Sequence, residues 1–140
     1  MSSARAFLVL GCLLMFVGVA VGAFGSHALR RSLSPERLAT FETGVRYQLW
    51  HALGLFAVVL VGSVHPGGGP SGELVLVGDV PGEAVWAGWL FVAGIVLFSG
   101  SLYALALTGV RRWGVVTPSG GVCLLVGWLL LAWAAFGLAL

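Results

Sequence analysis

Apolar residues run nearly unbroken through four stretches of this chain, and polar residues gather where the stretches break. The first covers about 6–26. The second belongs to a longer helix, about 35–64, whose apolar part begins near Tyr47. The third covers about 84–107 and the fourth about 115–140. A helix rising 1.5 Å per residue needs about 20 apolar residues to cross the hydrocarbon core. The pattern therefore predicts an all-α membrane four-helix bundle. It forms a single transmembrane domain over residues 1–140, with a Gly/Pro loop at 65–83. The first stretch is not read as a cleaved leader. It is longer than the ~7–15 residues of a signal h-region, and Ala23-Phe24-Gly25-Ser26-His27 is a poor cleavage site.

The breaks carry their own signals. Ser34 can cap a helix, and Pro35 suits its first position, where the missing N–H costs nothing. From Pro35 to Arg46 the pattern is amphipathic, with Leu38, Phe41 and Val45 on one side, and predicts an interfacial start to the second helix. The loop at 65–83 holds Glu73, Asp79 and Glu83, and Leu74-Val75-Leu76-Val77 within it suggests a short strand or an interfacial patch. On the first helix, Gly11, Gly18, Gly22 and Gly25 recur at helical spacing and predict close approach of a second helix.

Composition sharpens the membrane reading. Of 140 residues, 59% are hydrophobic and 9% charged, where a soluble domain carries about 25% charged residues. Mean hydropathy is +1.05. A net charge of +2 is too small to suggest nucleic acid as a partner. The lipid bilayer is the expected partner. All seven basic residues are Arg, and six of them (Arg30, Arg31, Arg37, Arg46, Arg111 and Arg112) flank the two turns on one side. The positive-inside rule puts that side in the cytoplasm, with both termini outside.

Candidate chemistry concentrates in Phe41–Gly54. At 100° per residue, Tyr47, Gln48 and His51 share an arc of about 100° with Gly44. Glu42 and Arg46, four apart on another face, are placed to form an interfacial ion pair. At the same depth the other helices bring His27, Ser99 with Tyr103, and Thr117. These residues predict one hydrogen-bonded layer at which all four helices meet. The leading reading of the layer is helix-packing glue, worth roughly 0.6 kcal/mol per bond. The other is a ligand site. No carboxylate or Cys joins His27 or His51 on one face, so neither a metal nor another cofactor is expected. There is also no phosphate-binding loop, paired intramembrane carboxylate or nucleophile–base spacing, so no enzyme is predicted.

Four motifs carry a resemblance. They are Gly22-Ala23-Phe24-Gly25-Ser26-His27; Glu42-Thr43-Gly44 with Tyr47-Gln48-x-x-His51; Leu97-Phe98-Ser99-Gly100-Ser101-Leu102-Tyr103-Ala104-Leu105; and Thr117-Pro118-Ser119-Gly120-Gly121 with Gly127-Trp128. In this order they resemble the YgdD-like family of small four-helix bacterial inner-membrane proteins of uncharacterised function. The resemblance implies four transmembrane helices in a bacterial inner membrane and no established activity. Ser26 stands where that pattern has Ala, and the 65–83 loop is longer than the pattern. The expected role is a small scaffold or accessory subunit of a larger membrane complex, or a homo-oligomer. The alternative is a small-molecule or lipid binder or transporter using the polar layer.

Overall fold

The computed structural model describes residues 2–63 and 80–137. The expected strand or patch at 74–77, and most of the Gly/Pro loop, lie outside the described residues. Within them the chain is helical. Helix α1 runs Ser3–His27, followed by a 3₁₀ turn at Leu29–Arg31, and α2 runs Pro35–Ser63. The third span combines α3 (Gly82–Gly94), a π-helical turn (Ile95–Ser99) and α4 (Gly100–Thr108). Helix α5 is Trp113–Gly137. Four helical rods are long and apolar enough to cross a membrane.

Local chemistry explains the ends. The Ser34 hydroxyl accepts the Arg37 N–H at 3.4 Å, a long capping bond before the Pro35 start. The third span stops at Gly109, the one residue with a left-handed φ (+72°) among those described. A side chain would strain that backbone, and the Gly109 N–H closes the helix on the Leu105 carbonyl at 2.8 Å. Two further carbonyls there are capped from a distance. Arg37 Nε donates to Ala106 O and Nη2 to Leu107 O, each at 2.6 Å. A guanidinium at a helix C-terminus also opposes the negative end of the helix dipole. Arg37 thus ties the start of α2 to the end of the third span.

Helices α2 and the third span form the middle of the bundle. Half the residues in the most apolar stretch of α2 are buried, against 17% for α1 and 22% for α5. The outer helices therefore present most of their surface outward. In lipid no hydrophobic force drives helix against helix, so close packing and hydrogen bonds must do so. The glycines of α1 supply the packing. A Cβ on Gly18 would lie 2.7 Å from Leu49 Cδ2, and one on Gly25 would lie 2.6 Å from Phe41 Cε1. Helix α5 comes as close to the π-helical turn, where a Cβ on Gly120 would overlap the backbone N of Phe98.

The interior has two apolar clusters. The larger gathers Phe7, Leu55, Val58, Phe91, Leu124 and Leu131 from all four spans. The smaller, at the Arg-rich end, joins Leu29, Phe41, Val45 and Ala106. Gln48 partners Tyr103, which packs on the smaller cluster, while His51 lies beside Phe91 of the larger.

Candidate functional site

Among the described residues four polar side chains are buried: Gln48, His51, Ser99 and Ser101. They do not join into a single layer. The 100° arc on α2 is wide enough to face three different neighbours, and the structure divides it among them.

Gln48 faces α1 and α4. Its Nε2 donates to the Leu14 carbonyl at 2.8 Å, and its Oε1 accepts the Tyr103 hydroxyl at 2.9 Å. One amide thereby bridges three helices. Gly18 leaves room for it, since a Cβ there would sit 3.3 Å from Nε2. Gly44 leaves room for the Tyr103 ring, which a Cβ would approach to 2.8 Å. A separate pair joins α4 to α5, with Ser101 Oγ 2.8 Å from Thr117 Oγ1.

Tyr47 and His51 face the other way, toward α5. Tyr47 stacks on Phe98 with centroids 4.4 Å apart and on His51 at 5.8 Å. The imidazole lies 5.8 Å from Phe91 and 6.1 Å from Trp128. His51 Nδ1 is 2.7 Å from the Tyr47 carbonyl. A carbonyl only accepts, so Nδ1 carries a proton, and in the neutral ring the lone pair is then on Nε2. Neither Nε2 nor the Tyr47 hydroxyl has a hydrogen-bond partner among the described residues. Beside them lies a half-open groove of about 190 Å³, lined by Tyr47, His51, Phe98, Gly121, Leu124, Leu125 and Trp128.

Ser99 differs again. It is 1% exposed, and its hydroxyl has no partner among the described residues. A helical serine customarily bonds back to the carbonyl four residues earlier, here Ile95. Across the π-helical turn that carbonyl accepts the Gly100 N–H instead. Such turns recur at functional positions.

Besides the single layer, two further expectations do not hold. His27 does not enter a buried layer; it is exposed in the last turn of α1. The Glu42–Arg46 ion pair does not form. Arg46 Nη2 donates to Thr43 Oγ1 at 3.2 Å, three residues back, and an exposed pair gains too little to outcompete that bond. The helical angles also miss Arg37 and the aromatic wall of Phe91, Phe98 and Trp128. Arg37 reads as one more positive charge, because its acceptors lie 69 and 70 residues away.

Among the described residues no three His, Cys, Asp or Glu side chains gather to hold a metal. The arrangement can hold helices together, and it can offer one acceptor and one hydroxyl to something entering the groove.

A family model described as "Protein of unknown function (DUF423)" matches residues 21–121, which take in Tyr47, Gln48, His51, Ser99, Ser101, Tyr103 and Thr117 but end before Leu124, Leu125 and Trp128 of the groove. A UPF0382 membrane protein of Staphylococcus saprophyticus is 40% identical over 132 residues, 94% of this chain and 98% of its own length. A UPF0382 membrane protein of Staphylococcus epidermidis is 40% identical over 135 residues, 96% of this chain and 98% of its own. The UPF0382 membrane protein YwdK of Bacillus subtilis is 38% identical over 131 residues, 94% and 96% of the two chains. No solved structure matches the chain.

Proposed function

The chain belongs to the DUF423 family of membrane proteins of unknown function, and from that premise we propose that it is a non-catalytic accessory subunit of a larger membrane complex. The kinship with bacterial membrane proteins supports placing it in the bacterial inner membrane, the location also expected of a YgdD-like relative. The Arg-rich turns then face the cytoplasm, a placement that the charge bias supports.

The observation that carries this reading is the groove beside His51. At about 190 Å³ it is smaller than the ~300–1,000 Å³ of small-molecule sites. That volume suits one large side chain from a neighbouring transmembrane helix. A Trp or Tyr on that helix supplies the donor that His51 Nε2 lacks, while Trp128 and Phe98 pack against its ring. Four further polar side chains of the site support a non-catalytic role, because Gln48, Tyr103, Ser101 and Thr117 are each bonded to protein. Purification in mild detergent followed by mass measurement tests the reading. A second membrane protein in fixed ratio, released by His51→Phe, is expected. A lone monomer or plain homo-oligomer refutes it.

The unpartnered His51 Nε2 also fits a second reading, a small ligand with a hydroxyl or amine donor. It differs by outcome: the chain then carries a small molecule and no protein partner.

A further inference from the structure

A second concavity lies on the other side of α2, in the seam with α1 toward the Arg-rich end. It is a cleft of about 280 Å³ lined by Gly22, Gly25, Phe41, Glu42, Val45 and Arg46. Its floor is apolar, formed by two helices that the glycines bring close together. Its rim carries two opposite charges one helical turn apart. The two do not neutralise each other. Arg46 holds Thr43 through one of its five N–H donors, and Glu42 has no ion pair or hydrogen bond among the described residues. Both residues are exposed.

The depth of the rim adds a further constraint. The apolar part of α2 begins just after Arg46, so this rim sits where the helix leaves the headgroup zone for hydrocarbon. An occupant complementary to the cleft has an apolar tail below and, above it, a negative and a positive group a few ångströms apart. We propose that the cleft binds one phospholipid whose headgroup carries both a phosphate and a primary ammonium. Arg46 takes the phosphate oxygens, which a guanidinium fork suits. Glu42 takes the ammonium, and an acyl chain runs from Gly22 and Val45 into the hydrocarbon. A quaternary ammonium has no N–H to donate to Glu42, and an anionic headgroup meets Glu42 as a like charge. The charge pattern therefore discriminates among lipids.

The test is native mass spectrometry of the full chain released from nanodiscs holding equal parts phosphatidylethanolamine, phosphatidylcholine and phosphatidylglycerol. One phosphatidylethanolamine is expected to stay bound in preference to the other two. Glu42→Gln is expected to reduce its preference over phosphatidylcholine by about fivefold, the upper range for an exposed charge pair. Arg46→Gln is expected to weaken retention of phosphatidylethanolamine and phosphatidylcholine alike. Both positions are exposed, so helicity and thermal midpoint should stay unchanged, which separates lost binding from misfolding. Equal retention of the three lipids overturns the proposal, as does a preference that survives Glu42→Gln. A homodimer that dissociates in the two variants also overturns it, by assigning the cleft to a second copy of the chain.

Discussion

Replacing Gln48 by Leu tests whether the bundle is held by a polar tie. The change keeps roughly the same volume and removes two hydrogen bonds, to Leu14 O at 2.8 Å and from Tyr103 Oη at 2.9 Å. Side-chain bonds between membrane helices average about 0.6 kcal/mol and reach about 1.7. Two such bonds come to about 1.2 kcal/mol. The stranded Tyr103 hydroxyl raises the loss, so Gln48→Leu should cost about 1–3 kcal/mol. Tyr103→Phe should cost only about 0.6 kcal/mol, because Gln48 keeps its bond to Leu14. The double variant should cost no more than Gln48→Leu alone, since the second change removes a bond already gone. Reversible unfolding of the full chain in bicelles, followed by circular dichroism, measures all three. A neutral Gln48→Leu, or single-variant costs that simply add, would refute the bridge.

Other outcomes follow from the same geometry. Arg37→Ala should destabilise the fold by about 1–2 kcal/mol in the same assay by uncapping Ala106 and Leu107, and Arg37→Lys should recover only part of this because the fork is lost. Gly25→Val should cost about 1–3 kcal/mol through the clash with Phe41, whereas Gly82→Ala, with open space around it, should be close to neutral. Ser101→Ala and Thr117→Val should couple by about 0.6 kcal/mol in a double-mutant cycle, and strict additivity would deny their bond. In a Cys-less background, a single Cys at Arg111 should resist an impermeant thiol reagent in intact cells, and ready labelling would reverse the proposed orientation.

The four spans are legible in the sequence because lipid imposes one plain requirement, a long apolar helix. The Gly stripe of α1 is legible for a related reason, since close approach in lipid needs small residues at fixed spacing. Gln48 and Tyr103 are legible as polar atoms at one depth, but the helical angle does not say which neighbour each meets. That depends on how α1, α4 and α5 are arranged around α2, and no local pattern encodes it. The same limit hides the bonds from Arg37 to Ala106 and Leu107. The π-helical turn at Ile95–Ser99 has no sequence mark, because one residue wound into a helix leaves the apolar pattern intact. Glu42 and Arg46 show the reverse error. Their spacing permits a pair, but Thr43 offers Arg46 a nearer acceptor.

The proposed role of the chain rests on the groove beside His51. The direct measurement is the mass and composition of the native particle, extracted from its own membrane in mild detergent and compared with a His51→Phe, Trp128→Ala variant of unchanged helicity. A second membrane protein in fixed ratio with the unaltered chain is expected, and its loss from the variant. A lone chain or simple homo-oligomer in both samples, or a partner that stays with the variant, would contradict the proposed role.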